Sequence, residues 1–346
     1  MLDGIAIFRH PLHVEGSSAR SYLVEYSSAL FWQFYLSFKV LVQRGFDVIQ
    51  ACNPPDLIFL VGLFYKIFFK KLFVFDHHDI NPELYLAKFG RKDFFYRLMI
   101  LLEKLTFKAA DRSIATNYSY KEIAVARGGM DPRKVTVVRS GPSLQRMKIM
   151  PPDPKWKKGK HYLVGYLGVM GKQEGVDHLL RAARILIHDR KRNDVHFLLI
   201  GGGTELESLK GLSRELGVEA DVTFTGRIPD QPMLEALNSA DVCVNPDVAN
   251  EMNDKSTMNK IMEYMALGKP IVQYDLKEGR FSAGRASLYA RKNDVLDLAE
   301  KIEMLLDDPE KRTTMGKLGR MRVLNELNWD IEAPKFLGVY NSLGKS

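Results

Sequence analysis

The amino-acid sequence predicts an α/β protein made of two similar halves. From residue 47 onward, short β-branched or aromatic runs alternate with amphipathic stretches, which is the pattern of βαβ units and a parallel sheet. The chain has 346 residues, enough for roughly two domains at about 150 residues each. A segment rich in proline and lysine at 147–161 breaks both periodicities and predicts a domain boundary near Lys158.

The individual elements follow from the length and spacing of the apolar runs. Strands of the first half are predicted at 5–8, 47–50, 72–75, 112–115 and 135–138, with helices near 19–44, 56–70, 93–108 and 118–127. Strands of the second half are predicted at 162–168, 196–200, 222–226, 241–245 and 270–274. Apolar stripes predict helices over 176–187 and 295–306, the latter ending before Pro309, and a last helix is predicted over 329–343. The predicted domains are 1–158 and 159–328, with a terminal helix at 329–346 returning to the first.

Composition excludes several classes of protein. The net charge of +8 suits a polyanionic partner such as nucleic acid, a nucleotide phosphate or an anionic membrane surface, and does not choose among them. Cys52 and Cys243 are far apart and match neither a disulfide scaffold nor a structural zinc site. The start of the chain lacks the pattern of a secretion signal, and the longest apolar run, 57–65, is half the ~18 residues that a spanning helix needs. These features predict a cytoplasmic protein.

Two segments run from a strand through a glycine-rich loop into a helix. The first, 166–180, contains Gly171 and Lys172, and the second, 198–209, contains Gly201 and Gly202. Bare backbone amides at such loops, with a mobile lysine, suit an anionic phosphate. A dinucleotide fingerprint would need a further glycine at 206, where leucine stands, which disfavours a dehydrogenase. Tight turns with a solvated surface lysine are the alternative interpretation.

The stretch 245–274 is the richest in candidate ligands. A serine or threonine is predicted to cap a helix that carries a lysine and a glutamate and ends at Gly268. The amides and lysines suit a diphosphate, and a carboxylate one to two turns further on can accept both hydrogen bonds of a ribose diol. A capped surface helix with solvated side chains is the alternative. The residues predicted to bind a nucleotide sugar are Ser256, Thr257, Met258, Asn259, Lys260 and Glu263, with Lys255 as a further cation.

The second half resembles the C-terminal domain of retaining nucleotide-sugar glycosyltransferases of the GT-B fold, family 4. The resemblance covers most of 160–346, and the motifs that carry it occur in the family's order. They are YLGVMGKQEGVDHLLRAA (166–183), HFLLIGGGTELESLK (196–210), VTFTGRIP (222–229) and NDKSTMNKIMEYMALGKP (253–270), followed by the terminal helix. The last motif is similar to that of a branch found in surface-polysaccharide gene sets. The resemblance implies two Rossmann-like domains facing a cleft.

The family carries two glutamates separated by seven residues, the second holding the nucleotide ribose and the first touching the donor sugar. Glu263 matches the second position. The first falls on Lys255, with Asp254 beside it, and these two are the resemblance's candidates for the donor-sugar contact. The family's usual arginine and lysine near the glycine loop are replaced by Val169 and Glu174, which leaves Lys172 as the phosphate candidate.

In the first half, ACNPPDLIFL (51–60) and FDHHDINPELY (75–85) resemble the same branch. His78, followed by Asp79, matches the family's donor-facing histidine, so the resemblance implies that both are catalytic. The nearby polar candidates are His77, Glu83, Arg139 and Ser140. A histidine that caps the sheet edge structurally is the alternative.

Relative to this family, the first domain is predicted to be incomplete, because the usual first strand and glycine loop have no match before 3–11. Such a loss would leave apolar surface uncovered. The aromatic segments 31–42, 58–73 and 91–108, which interleave with lysines and arginines, would also suit an anionic bilayer. Core packing of these aromatics is the alternative.

The resemblance implies a retaining, metal-independent transfer of a hexose from a UDP- or GDP-linked sugar to a lipid-linked or saccharide acceptor, in cell-surface polysaccharide synthesis. It implies no cofactor and no protein nucleophile. The predicted location is cytoplasmic, peripheral to the inner face of the membrane, and nucleic acid is not predicted as a partner because no reading helix or aromatic platform is present. A nucleotide-sugar 2-epimerase and a truncated, non-catalytic binding protein are the alternatives.

Overall fold

The computed structural model describes residues 4–10 and 19–343. The chain divides into two compact units, one of Met1–Val138 with Lys335–Ser346 and one of Arg139–Pro334. This division precedes the predicted boundary near Lys158, because the proline- and lysine-rich segment packs on the second unit. The side chain of Met147 is buried in the second unit's core, and the Met150 amide donates to Asn238 Oδ1 at 3.0 Å. The outer ends of the predicted domain ranges, 1–3 and 344–346, lie outside the described residues.

The first unit contains a parallel sheet with helices between its strands. Its strands are β1 (Val48–Cys52), β2 (Leu72–His77), β3 (Arg112–Ala115) and β4 (Val135–Val137). Its helices are α1 (Ala19–Arg44), α2 (Phe59–Phe69), α3 (Asn81–Phe89), α4 (Phe94–Ala109) and α5 (Tyr118–Glu122). The strands lie in the order β1-β2-β3-β4, all parallel, so β1 is an edge strand.

The second unit contains a larger parallel sheet. Its strands are β5 (Tyr162–Leu167), β6 (Val195–Ile200), β7 (Val222–Gly226), β8 (Val242–Asn245), β9 (Ile271–Tyr274) and β10 (Ser287–Ala290). Its helices are α6 (Val176–Arg184), α7 (Leu206–Glu215), α8 (Asp230–Ser239), α9 (Glu251–Lys255), α10 (Asn259–Ala266), α11 (Lys277–Ala283), α12 (Val295–Asp307) and α13 (Pro309–Glu326). The strand order is β10-β9-β8-β5-β6-β7.

The sheet of the second unit is covered on both faces, as expected for parallel strands joined by helices. Along β6, Phe197 and Leu199 belong to one apolar cluster, whereas Leu198 and Ile200 belong to the other. Successive side chains of a strand point to opposite faces, so the continuous apolar run of β6 fills two cores at once. This is why the sequence shows an unbroken run rather than an alternating one.

The last helix, α14 (Trp329–Asn341), begins in the second unit, and its residues from Lys335 onward belong to the first. Val339 and Leu343 pack with Val74 and Ile114 of the first sheet. Arg112 Nη2 donates to the carbonyl oxygen of Ser342 at 3.1 Å. The end of the chain thus contributes to the first unit's core.

One predicted strand is wrong. Residues 5–8 form no strand, and the side chain of Ile5 is 68% exposed. Apolar residues form a strand only where a neighbouring strand pairs with them, and among the described residues 5–8 belong to neither of the two parallel sheets. Strand β10 and helices α3, α8, α9, α11 and α13 were not predicted from the sequence, whereas the helix expected after the 198–209 glycine loop is α7. Helix α12 ends at Asp307, and Pro309 begins the next helix rather than only ending this one.

Candidate functional site

The carboxyl ends of three adjacent strands of the second sheet carry four of the predicted nucleotide-sugar residues, namely Gly171, Lys172, Gly201 and Gly202. Strands β8, β5 and β6 are neighbours in that order, and all run parallel. The loops that follow them are 246–250, 168–175 and 201–205. Ligands of open α/β sheets bind outside the carboxyl ends of the strands, so these loops form the candidate site of the second unit.

The two glycine loops lie directly against each other. Gly201 has φ +129°, and a Cβ built there would lie 1.9 Å from the carbonyl oxygen of Gly168. The Met170 amide donates to the carbonyl oxygen of Gly202 at 3.0 Å, whereas a Cβ at Gly202 would meet nothing within 4 Å. Close backbone approach therefore explains Gly201, while Gly202 leaves space beside the loop.

The loop after β5 forms a short turn over Lys172–Glu174. The Glu174 carboxylate accepts a hydrogen bond from the Gly171 amide at 3.1 Å, and burial raises the pKa of this carboxyl. The carbonyl oxygen of Gln173 accepts from the Val248 amide at 3.0 Å and from Asn253 Nδ2 at 2.9 Å. These bonds join the loop after β5 to the loop after β8 and leave the Lys172 side chain exposed on its surface.

Lys260 lies at the centre of this group, but it is paired. Its ammonium is 3.0 Å from Asp247 Oδ1 and 5.0 Å from the centroid of the Tyr166 ring. The Asp247 side chain is only 2% exposed and that of Lys260 10%. Burial opposes the charge on Lys260, but Asp247 and the neighbouring Tyr166 and Glu174 together raise its pKa, so the lysine stays protonated.

The predicted cap of helix α10 is wrong. Helix α9 intervenes, so Ser256 terminates α9 instead, and its hydroxyl donates to the carbonyl oxygen of Met252 at 2.8 Å. Thr257 Oγ1 lies 3.4 Å from Arg139 Nη1. Met258 occupies the N-cap of α10 and makes no side-chain hydrogen bond there, and the helix begins at the exposed Asn259. The N-cap residue itself therefore contributes no side-chain acceptor to the first amides of α10.

Asp254 and Lys255 lie on α9 and are engaged with other partners than the Lys260 group. Asp254 Oδ1 is 3.0 Å from the ammonium of Lys292, and it accepts from the Lys277 amide at 3.2 Å. The Lys255 ammonium is 2.7 Å from Glu251 Oε1, one turn earlier on the same helix. The ion pairs of these two side chains thus lie with Lys292 and within α9, while the neighbouring Asn253 bonds α9 to the first glycine loop.

Glu263 lies one turn after Lys260 on α10, and its side chain is 22% exposed. Arg146 Nη1 is 3.7 Å from Glu263 Oε1, and the same guanidinium donates two hydrogen bonds to Asp230, at 2.7 and 2.9 Å. Burial raises the pKa of Glu263, with Arg146 opposing the shift. Glu263 is thus a half-enclosed acceptor with a cation beside it.

Arg139 has a different role from the one predicted. Its guanidinium is buried, 3.1 Å from Glu278 Oε2 and 4.0 Å from the centroid of the Phe281 ring, and its amide donates to Glu332 at 3.0 Å. Arg139 therefore joins α11 and α14 within the second unit. Ser140, the other candidate there, is exposed.

In the first unit, His78 and Asp79 directly follow β2. His78 Nε2 is 3.1 Å from Asp76 Oδ1, and its side chain is 47% exposed. Asp79 as a whole is exposed to solvent, yet partial burial of its carboxylate raises the pKa of this group. His77 is buried, and Glu83 is ion-paired with Arg127 at 2.7 Å, so these two candidates are part of the packed interior.

Sequence reasoning missed three side chains that contact the candidate residues, two in the second unit and one in the first. Asp247 follows β8 in the same way that His78 follows β2, so its position after a buried strand was a usable signal. Arg146 pairs with Glu263, more than one hundred positions away, and Asp76 lies within the otherwise buried strand β2, where the apolar run gives no signal of its contact with His78. Among the described residues, no three His, Cys, Asp or Glu side chains are grouped so that they could hold a metal ion.

Two parallel sheets, each flanked by helices in its own unit, define the GT-B class of proteins. Solved structures of this fold match almost the whole chain. Sucrose-phosphate synthase of Thermosynechococcus elongatus aligns with a TM-score of 0.77 and 21% identity over 92% of this chain and 79% of its own. The Anabaena protein HepE in complex with UDP-glucose aligns with a TM-score of 0.72 and 17% identity over 97% and 86%. The predicted fold class is confirmed.

Comparisons of the amino-acid sequence agree with the comparisons of the fold. Residues 161–308 match the family model described as glycosyl transferases group 1. The Staphylococcus aureus capsular polysaccharide biosynthesis glycosyltransferase CapM is 26% identical over 271 residues, which are 73% of this chain and 67% of CapM. A GDP-mannose-dependent mannosyltransferase of Corynebacterium glutamicum is 28% identical over 173 residues, 49% of this chain and 44% of that protein. The resemblance to GT-B glycosyltransferases predicted from the motifs is thereby confirmed.

No helix within the described ranges combines the length and the apolar character needed to cross a bilayer.

Proposed function

We propose that this protein transfers a hexose from a nucleoside diphosphate sugar, linked to UDP or GDP, to a lipid-linked or saccharide acceptor with retention of configuration. The observation that carries the proposal is the convergence of two glycine loops and the start of α10 at the carboxyl ends of β5, β6 and β8. The relatives support the class of reaction, since they are named as glycosyltransferases of capsular polysaccharide and of a phosphatidylinositol mannoside.

The donor diphosphate is assigned to the glycine loops and α10. The open space beside Gly202, the exposed Lys172 ammonium and the amino end of α10 offer partial or full positive charge to a phosphate. A departing diphosphate gains negative charge, and preorganised amides and ammonium groups stabilise that charge directly. The proposed reaction therefore requires neither a protein nucleophile nor a metal ion.

Glu263 is assigned to the ribose. A carboxylate with two free acceptor directions can take both hydrogen bonds of a vicinal diol, and Glu263 meets this requirement once a nucleotide displaces its 3.7 Å contact with Arg146. Lys260 is assigned to the loop framework rather than to the phosphate, since Asp247 already neutralises it. In the first unit, His78 and Asp79 are assigned to the sugar and acceptor chemistry.

Calorimetric titration of the whole chain with UDP, GDP and their hexose conjugates, with and without magnesium, tests the donor site. We expect Glu263→Ala to weaken binding by about 1–3 kcal/mol, because the ribose hydroxyls lose their acceptor. The matched control is Glu300→Ala, a carboxylate on α12 paired with Arg190 at 3.5 Å.

The variant Lys172→Ala tests the phosphate contact, and it should weaken the binding of UDP but not that of uridine. Equal affinities of Glu263→Ala and the control would remove Glu263 from the site, and no binding by the folded wild type would overturn the donor proposal.

An anionic membrane surface is the proposed location of the acceptor. Helix α1 exposes a stripe of large apolar side chains at helical spacing, namely Phe31, Tyr35, Phe38 and Val42. Phe38 packs edge-on against Phe69 of α2 at 6.4 Å, and α2 continues the surface with Phe68, 69% exposed. Lys70 and Lys71 lie beside it. Co-sedimentation should show binding to vesicles with anionic lipid and weaker binding after Phe68→Ser, and equal recovery with neutral vesicles would contradict the proposal.

A further inference from the structure

A chain of polar side chains runs along the carboxyl edge of the first sheet, outside the nucleotide site. Strands β1 and β2 pair in register, with Gln50 opposite Val74 and Cys52 opposite Asp76. Gln50 Nε2 donates to Asp76 Oδ2 at 2.7 Å, and Asp76 Oδ1 lies 3.1 Å from His78 Nε2. The hydroxyl of Tyr340, on α14, donates to Gln50 Oε1. The Asp76 carboxylate therefore has a partner on each oxygen.

The backbone beneath His78 is also fixed. Asn53 Oδ1 accepts hydrogen bonds from the amides of His78 and Asp79, at 3.0 and 3.2 Å, and Asn53 Nδ2 donates back to the carbonyl oxygen of Asp79. Asn53 itself is buried. The ring of His78 consequently has few orientations open to it, although nearly half of its surface is exposed.

The two ring nitrogens of His78 differ in what surrounds them. Nε2 faces Asp76, whereas Nδ1 makes no hydrogen bond to any described part of the chain. A hydrogen bond on one ring nitrogen decides which tautomer the neutral ring adopts. In neutral His78, Nε2 therefore carries the proton that it donates to Asp76, and Nδ1 is the nitrogen that can accept a hydrogen bond or a proton from a ligand.

Among the residues that the structure describes, the charged groups that act on His78 are the carboxylates of Asp76 and Asp79. The hydrogen bond to Asp76 raises the pKa of His78, burial opposes it, and the charges of Asp76 and Asp79 add to the rise. Burial and the same two carboxylates raise the pKa of Cys52, and burial raises that of Tyr340, so both stay uncharged. His77, the last residue of β2, is held neutral by burial, which lowers its pKa to about 3.

We propose that Asp76 is a positioning residue for His78, held in place by Gln50 and Tyr340, and that it presents His78 Nδ1 to a hydroxyl or phosphate oxygen of the sugar ligand. The inference rests on the proposed function, in which His78 contacts that ligand. No bond is made or broken by Asp76. Its effect is on the tautomer, the orientation and the charge of the imidazole.

The test is a side-chain NMR titration of isotope-labelled histidine in the whole chain, wild type against Asp76→Asn. In the wild type, His78 should titrate above the ordinary histidine range and carry its neutral-form proton on Nε2. In Asp76→Asn, which keeps the shape of the side chain, the pKa should fall and the two tautomers should mix. Asp47→Asn, an exposed carboxylate of the same unit paired with Lys71 at 3.2 Å, should leave His78 unchanged. An unchanged pKa and tautomer in Asp76→Asn would overturn the proposal.

A second readout separates this proposal from that of the donor site. Asp76→Asn should reduce kcat about 10-fold and move the acidic limb of the pH profile to lower pH, while calorimetric affinity for UDP stays that of the wild type. Tyr340→Phe should give a smaller change of the same sign. Failure of the wild type to bind UDP would overturn the donor site alone, whereas normal UDP binding with an unshifted pH profile would overturn the role of Asp76.

Discussion

A buried ionic cluster of the first unit joins three helical segments, whereas one buried ion pair of the second unit, Asp247 with Lys260, lies at the carboxyl ends of the strands. Arg127, after α5, bonds to Glu83 of α3 at 2.7 Å and to Glu103 of α4 at 2.6 Å, with both carboxylates almost fully buried. The second unit instead buries Asp247 against Lys260, beside the glycine loops. The same physics thus holds a scaffold together in one unit and shapes a candidate ligand site in the other.

The apolar cores differ in the same sense. The second unit fills both faces of its sheet, while the first leaves β1 as a half-covered edge strand and exposes phenylalanines on α1, α2 and α4. A unit with less apolar burial has a smaller margin of stability. Disturbing its ionic cluster should therefore have the larger effect on folding.

Arg127→Met should give the largest effect, a loss of about 3–5 kcal/mol in the stability of the first unit, because Glu83 and Glu103 stay buried without a partner. Hydrogen exchange should lose protection over β2–β4 and keep it over β5–β10. The matched control is Arg133→Met, whose side chain is 91% exposed beside Asp131, and which should change stability by about 0.5 kcal/mol or less. Comparable small effects for both variants would mean that the cluster does not hold the helices together.

Sequence alone predicts the strands and glycine loops of the second unit because continuous apolar runs and strand–glycine–helix order are local patterns. It does not predict the pairs that shape the site. From the sequence, Lys260 is predicted to bind phosphate, but in the structure it is paired with Asp247. Arg146 contacts Glu263 only because tertiary packing brings them together. The capping prediction at Ser256 failed because a one-turn helix, α9, fits into a stretch that shows no period of its own.

The first unit shows the opposite difficulty. Residues 5–8 have the apolar pattern of a strand but pair with neither parallel sheet of the described chain, and β1 has a mixed burial pattern that its sequence does not reveal. His78 was found through resemblance, whereas Asp76 and Gln50 required the register of β1 against β2. The sequence therefore indicates which residue types could carry the chemistry, but it does not indicate which side chains they contact.

Lys260→Met should destabilise the second unit by about 3 kcal/mol at neutral pH, since Asp247 loses its partner. Burial raises the pKa of Asp247 above its unfolded value, so the folded state binds a proton more readily than the unfolded one. The deficit should therefore shrink as pH falls and grow as pH rises through the raised pKa. Urea denaturation at several pH values measures this.

The double variant Asp247→Asn with Lys260→Met removes both charges and should recover most of the lost stability. If the single variant lost as much stability at pH 4 as at pH 7, the unpaired carboxylate would not be the cause, and the second unit would depend on packing at Lys260 instead.

His77→Phe should have the smallest effect and the opposite sign. The His77 ring is fully buried among Phe75, Phe107 and Tyr120, and neither of its nitrogens has a hydrogen-bond partner. Replacing it with phenylalanine removes two unsatisfied atoms and should stabilise the first unit by about 1 kcal/mol at pH 7.

The pH dependence sharpens this last expectation. Burial, with the charge of Arg127, lowers the pKa of His77 to about 3, below its unfolded value near 6.5. The unfolded state binds a proton that the folded state refuses, so stability falls as pH drops from about 6.5 towards 3, and the advantage of His77→Phe should grow over that window. His196 of the second unit is the control, because its pKa is also lowered, to about 4, but Nε2 bonds Thr223 Oγ1 at 2.9 Å. His196→Phe should lose stability at pH 7, whereas His77→Phe should gain it. If the melting temperatures of both variants moved in the same direction, the hydrogen bond of His196 would not account for the difference between the two histidines.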